Sequence, residues 1–199
     1  AADLKEVTNP ENKDGEKIKV ILITKAAAEG LDFKNVRQIH ILEPWYNLSR
    51  TEQIIGRAVR NLSHCALPFE ERNVEIYLHG TMLEEEDKEA VDLYVYRYAE
   101  KKAKLIGNVS RLMKETAVDC ILNIGQTNLS LEKLNEASQG QEITLSLASK
   151  SEEPIQYKVG DRPYTAICDY MDNCNFVCNP DTKVDQISVN KNNYYEEFA

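Results

Sequence analysis

The chain has 199 residues, 29% of them charged and 42% apolar, an ordinary globular balance that is enough for one compact domain with an appendage or for half of something larger. No apolar run is long enough to span a bilayer and the N-terminus lacks a basic-then-apolar signal, so a soluble chain with no membrane partner is expected. The formal net charge of −9 is uneven: residues 1–81 hold 11 Lys/Arg against 12 Asp/Glu and residues 82–199 hold 13 against 21, which excludes indiscriminate nucleic-acid binding by the whole surface but leaves room for a local groove in the first part.

Residues 1–17 carry turn signals at Asn9-Pro10-Glu11-Asn12 and Asp14-Gly15 but no apolar period, and read as a loop entering a domain. A globular unit that opens in a loop suggests a fragment or remainder of a longer polypeptide. Ile18 to Thr24 (IKVILIT) has the β-branched composition of a buried parallel strand, with Thr24 at its carboxyl end, where open α/β sheets place ligand contacts. In KAAAEGLD, residues 25–32, a short helical turn is expected through Ala26–Ala28, then a break at Glu29-Gly30. Gly30 is read first as a left-handed turn residue, and Asp32 as a helix-start carboxylate or a hydrogen-bonder to a sugar hydroxyl.

Arg37 to Glu43 is a second strand. His40 within it is read as a packed core residue rather than a catalyst, and Trp45 and Tyr46 after it as closing a core rather than stacking a base. A helix is expected to follow, with Ser49 as N-cap and Glu52 completing a capping box. On it Gln53, Arg57 and Arg60 fall at i, i+4 and i+7 and share one face, Ile54, Ile55, Ala58 and Val59 bury the rest, and Gly56 leaves a gap beside the cationic stripe. Neither arginine has an acidic neighbour at helical spacing, so its anion comes from elsewhere: a carboxylate on another segment, or a phosphate. Asn73 to His79 (NVEIYLH) gives a third strand, apolar at Val74, Ile76 and Leu78. The strand, helix, strand order implies a parallel sheet covered by helices.

Beyond Gly80 a helix is expected from about Glu84 to Leu105, packed through Val91, Tyr94, Val95, Tyr98, Ala99 and the Lys102 stem. A second, from Leu105 to Leu122, would pack through Ile106, Val109, Met113, Thr116, Ala117 and Cys120, the two forming an antiparallel pair. Residues 125–141 read as a linker, 142–178 as a small β-containing lobe (ITLSLAS, IQYKV) closed by Gly160-Asp161-Arg162-Pro163, and the remaining residues as a loose tail. Five cysteines, Cys65, Cys120, Cys168, Cys174 and Cys178, are an odd number at wide spacing, which favours reduced thiols and an intracellular compartment. Cys168, Cys174 and Cys178 are weak zinc candidates, since a structural site wants four ligands and no histidine is near, and buried thiols come first. No Walker-type phosphate loop is present.

Taken together, ILITKAAAEGLDF, QIHILEPWYNLS and QIIGRAVR resemble motif V, the strand and turn after it, and motif VI of superfamily 2 helicases and translocases, in the right order and with 21 residues from Asp32 to Gln53. The wording EPWYNLSRTEQIIGRAVR, then ERNVEIYLHGT, is similar to the helicase-like nucleoside triphosphatases and early transcription factor subunits of large DNA viruses. GDRPYTAICDYMDNC resembles the tail of that group. The resemblance implies that residues 18–81 belong to a second RecA-like domain with a partial parallel sheet. It implies that Arg57 and Arg60 reach the β- and γ-phosphates of ATP with Mg2+, Arg60 as the arginine finger, and that Gln53 sits beside them. Gly30, Asp32 and Gly56 would line the nucleotide side, Asp32 near the ribose, while Thr24 and Lys25 would touch nucleic acid, DNA in preference to RNA. It further implies a preceding RecA-like domain with the Walker A lysine and Walker B carboxylates, a possible place beside transcription machinery, and an intracellular setting such as host cytoplasm, virus factory or virion. A helicase-derived interaction module without enzymatic activity is the alternative.

Overall fold

The computed structural model of the chain describes residues 2–24, 32–84, 88–127 and 142–179. They fall into two compact units, Ala1–Leu105 with Leu131–Gly160 and Ile106–Ser130 with Asp161–Ala199.

The first unit opens with helix α1, Ala2–Val7, and a single 3-10 turn, Pro10–Asn12, where a loop was expected. Proline inside the first turn and Asn9 accepting from the Glu11 amide account for the turn. Buried Asn12 then fixes the chain that follows: its Oδ1 accepts from the Lys17 and Ile18 amides, each at 3.0 Å, and its Nδ2 donates to the Ile18 carbonyl at 3.1 Å. Ile18 to Thr24 is not the buried strand that its composition predicts. It runs as irregular chain, with Leu22 87% exposed and Thr24 exposed. A β-branched run becomes a strand only when a neighbour satisfies its amides and carbonyls, and composition does not supply the neighbour.

Strand β1, Gln38–Ile41, pairs in parallel with β2, Glu75–Leu78, in the register Gln38↔Glu75, Ile39↔Ile76, His40↔Tyr77 and Ile41↔Leu78. Between them, helix α2, Leu48–Ala58, crosses one face. Its Ala58 joins Ile39 and Ile41 in the core, with Ile54, Ile55, Val36 and Val74 packed around them. Parallel strands need such a covered crossover, and β1, α2 and β2 form one. On β1, alternation puts Ile39 and Ile41 inside and His40 outside, so His40 is not a core residue; its ring stacks on Tyr77 at 4.7 Å. On β2, Ile76 and Leu78 are exposed rather than buried.

Helix α3, Val91–Thr116, is one helix of 26 residues where two were expected. Gly107 does not break it. Within the first unit its inward residues are Val95, Ala99 and Ala103, while Val91, Tyr94 and Tyr98 are exposed. A hairpin of β3, Glu142–Leu145, and β4, Ile155–Lys158, pairs antiparallel and is tied to the rest of the first unit through Ser146. The Ser146 amide donates to the Glu70 carbonyl at 2.8 Å, and its own carbonyl accepts from Asn73 Nδ2 at 3.0 Å.

The second unit is built from the end of α3, helix α4, Cys120–Thr127, and the segment 161–179. The expected apolar stripe is not its packed face, since Ile106, Val109 and Met113 are exposed. Gly107 and Arg111 take their place. A Cβ on Gly107 would run into the Asp169 carbonyl, so glycine is what lets the loop lie against the helix. Arg111, 7% exposed, donates from Nε to Asp169 Oδ2 at 2.8 Å, from Nη1 to the Asn175 carbonyl at 2.7 Å, and from Nη2 to the Cys168 and Asn173 carbonyls, each at 3.0 Å. The expected reduced thiols are, except for Cys65, two disulfides: Cys120–Cys178 and Cys168–Cys174. The segment 161–179 folds back onto the helices and brings each pair within bonding reach, with Cα separations of 5.8 and 4.4 Å. Cys168, Cys174 and Cys178 are therefore not zinc ligands here. The expected linker begins inside α4, and residues 128–141 and 180–199 lie outside the described residues.

Candidate functional site

The cationic end of α2 is set by how that helix begins and stops. Leu48 is its first residue and Asn47, in extended conformation, its N-cap, so the Ser49–Glu52 capping box does not form. Asn47 follows Pro44-Trp45-Tyr46, which have no regular structure, and its own backbone holds the extended conformation a cap needs. Partial burial pushes the Glu52 carboxyl up. The helix ends at Ala58, so Gln53 and Arg57 share its surface while Arg60 lies beyond it and Val59 is exposed.

Arg60 is held by a different device. The Ser63 Oγ accepts from the Arg60 amide at 3.2 Å and donates to the Arg60 carbonyl at 2.9 Å, closing a tight turn through Leu62 at φ 62°. Buried Ser63 also contacts His64 Nδ1 at 2.7 Å, and His64 Nε2–H donates to the Val36 carbonyl at 2.8 Å. The turn is thereby pinned to the segment leading into β1. Two backbone bonds, from the Phe33 amide to the Arg57 carbonyl and from the Asn35 amide to the Ser63 carbonyl, each 3.0 Å, lay residues 32–36 along the same end. Ser63 and His64 were missed in the sequence; the signal was a serine three residues past the arginine, a spacing that suits a side-chain-to-backbone turn.

This brings three of the candidate residues together. Arg60 Nη1 pairs with Asp32 Oδ1, both side chains being more than half exposed. The carboxylate reading of the arginine's anion is thus realised for Arg60. Arg57 is different: it is half-buried, and its Nε is buried with no hydrogen-bond partner among the described residues. An orphaned guanidinium donor costs about 1–3 kcal/mol, which an anion arriving beside it would recover. At the neighbouring Gly56 a Cβ would meet nothing within 4 Å. Gln53 is exposed on the preceding turn. Thr24 is exposed on irregular chain and makes no strand-end contact, while Lys25 and Gly30 lie outside the described residues. Among the described residues no group of three or more His, Cys, Asp or Glu is placed to hold a metal ion.

Residues 4–62 match the helicase conserved C-terminal domain. A protein of Acanthamoeba polyphaga mimivirus assigned as an ATP-dependent RNA helicase is 42% identical over 117 residues, 56% of this chain and 14% of its own length. A second from that virus, assigned likewise, is 30% identical over 179 residues, 85% of this chain and 13% of its own. The termination factor NPH-I homolog of African swine fever virus is 34% identical over 125 residues, 58% of this chain and 18% of its own. The chain thus spans less than a fifth of the length of these curated relatives. No solved structure matches it significantly. The mixed α/β architecture, with its small parallel sheet and covering helix, is consistent with a RecA-like helicase C-terminal domain.

Proposed function

We infer, from a chain that carries a helicase conserved C-terminal domain over residues 4–62, that it forms the second RecA-like half of an ATP-dependent helicase or translocase, with the end of α2 facing the nucleotide. The observation that carries this reading is the Arg57 Nε, buried without a hydrogen-bond partner among the described residues, next in sequence to the open Gly56 and with Arg60 just past the helix end. Two forked, permanently charged donors suit the spread charge of a transferring phosphoryl group. ATP with Mg2+, held mainly by a preceding RecA-like domain, supplies that group.

The chain's own residues then have separable tasks. Arg57, anchored through α2, is a fixed donor. Arg60, beyond the helix and exposed, is the finger. To reach a phosphate it must leave Asp32, and an ion pair this exposed is worth only about 0–1 kcal/mol. Asp32 therefore parks the finger without locking it, and Gln53 on the same helix couples the nucleotide to domain movement. Gly30, with Thr24 and Lys25, would complete the nucleotide and nucleic-acid sides of the cleft. Because the 199 residues contain no Walker sequence, they neither hydrolyse ATP nor bind it tightly by themselves.

The reading is tested in the full-length protein by ATP hydrolysis with and without nucleic acid, and by nucleic-acid affinity across a salt series. Nucleic-acid-stimulated turnover that needs Arg57 and Arg60 supports the motor. No turnover, with capture of a transcription partner that survives Arg57→Ala with Arg60→Ala, supports a helicase-derived interaction module instead.

A further inference from the structure

An exposed run of aromatic rings lies in the first unit, just before α2 and along α3. Trp45 and Tyr46 meet edge to face at 6.3 Å, Tyr46 meets Tyr98 edge to face at 6.4 Å, and Tyr98 stacks on Tyr94 at 6.1 Å and 14°. All four remain 41–49% exposed. Tyr94 and Tyr98 lie at i and i+4 on α3, whose packed face is Val95, Ala99 and Ala103, so the ring pair flanks the core instead of closing it.

Cations are threaded through the rings. The Arg50 guanidinium sits 4.0 Å over Trp45 and Lys102 Nζ 5.6 Å over Tyr98. Among the described residues neither forms an ion pair. Arg97 also lies over Tyr94, at 5.5 Å, but Glu89 takes its fork at 2.8 and 2.6 Å, so its charge is already answered. The run therefore offers π-faces with two uncommitted positive charges, on a chain whose overall charge is negative.

We infer that this run, Tyr46, Tyr98 and Tyr94 with Arg50 and Lys102, is a binding surface for single-stranded nucleic acid, whose bases stack on the tyrosines while its phosphates meet the two cations. The inference rests on the nucleic-acid reading above and specifies the state of the strand. Aromatic faces with interleaved cations suit any base without regard to sequence. In a duplex each base face is covered by its stacked neighbours, so rings that stack on bases address unpaired ones. An apolar protein partner would have no use for the cations, and an acidic one no use for four open rings.

The test uses the full-length protein without ATP and a fluorescent oligothymidylate, read by anisotropy, with a blunt duplex of equal length beside it. Tyr98→Leu keeps apolar bulk but removes the π-face; Tyr98→Phe keeps both. Leucine is expected to weaken single-strand binding by roughly 5- to 100-fold, phenylalanine to bind as wild type, and duplex affinity to stay unchanged in both. If leucine binds single strands as tightly as wild type, the inference is overturned and the surface passes to a protein partner. Equal losses on single strand and duplex overturn it too, as does a loss with phenylalanine that matches leucine. Because no nucleotide is present, the outcome is separable from that for Arg57 and Arg60: stimulated turnover with an indifferent Tyr98 would sink this inference alone.

Discussion

Replacing Arg111 by methionine keeps most of the aliphatic stem inside the second unit and removes the guanidinium. Four hydrogen bonds go with it, to Asp169 and to the carbonyls of Cys168, Asn173 and Asn175. Asp169, 4% exposed, is then left with Lys114, which donates to its other oxygen at 2.6 Å. Breaking a buried ion pair from one side costs about 3–5 kcal/mol. The cost is not offset by release of the segment, because Cys120–Cys178 still closes a loop of 58 residues, a constraint worth about 4 kcal/mol in the chain-entropy account. The segment should therefore open locally while staying tethered. Hydrogen exchange of the amides of Cys168, Tyr170 and Met171, bonded at 2.8–3.1 Å to Thr165 and Cys168 carbonyls, reads that opening. Roughly two to three orders of magnitude faster exchange is expected in Arg111→Met, with β1 and β2 unaffected. An increase of less than about fivefold would refute the reasoning, since it would mean that the disulfides alone hold the loop.

Three further outcomes follow from single contacts. Gly107→Ala places a methyl against the Asp169 carbonyl, so the 161–179 segment should lose protection much as in Arg111→Met, whereas Gly56→Ala, with open space at its Cβ, should leave thermal stability nearly unchanged. Burial alone would raise the Glu75 carboxyl, but hydrogen bonds from the Ser149 hydroxyl and amide, Tyr77 and Gln38 outweigh it and hold the group down to about 2. Its folded pKa is depressed, so the contribution is fully present above the ordinary carboxylate range and is lost as pH falls from there towards 2; Glu75→Gln should flatten the acid limb of hairpin protection, measured by exchange at residues 146–149. Asp32→Asn removes the anion that parks Arg60 and should raise affinity for a non-hydrolysable ATP analogue by a fewfold in the full-length protein; unchanged affinity in a titration would mean that Asp32 does not compete with phosphate.

What the sequence made legible was what local periodicity controls. Ile54, Ile55 and Ala58 of α2 and Ile39 and Ile41 of β1 pack as their spacing says, and β3 and β4 form where apolar alternation returns. Ile18–Thr24 carried an equally good strand signal and is exposed chain, because pairing depends on a neighbour that composition does not name. Along α3 hydropathy found the buried Val95 and Ala99 but pointed to the wrong face further on. Val109 and Met113 looked like core and are exposed, whereas close approach of Asp169 needs the glycine at 107 and the loop's carbonyls need the donors of Arg111. Disulfide pairing across 58 residues is a property of the folded chain and leaves no trace in cysteine spacing.

At the candidate site the arginines were visible as a pattern, while their difference was not. Helical spacing placed Arg57 and Arg60 on one stripe, but the helix stops at Ala58 and side-chain bonds from Ser63 re-aim Arg60 towards Asp32. That re-aiming is tertiary, made by a serine, a histidine and the Val36 carbonyl, so no helical wheel could show it.

The central claim is that Arg60 acts on a transferring phosphoryl group, and the most direct measurement is single-turnover ATP hydrolysis by the full-length protein on saturating nucleic acid, wild type against Arg60→Ala and Arg60→Lys. The expected result is a loss on the order of 10³-fold or more in the alanine variant with ATP binding largely kept, and only partial recovery by lysine, whose point charge lacks the planar fork. Turnover in Arg60→Ala equal to wild type would contradict the account and leave Arg60 as a surface partner of Asp32.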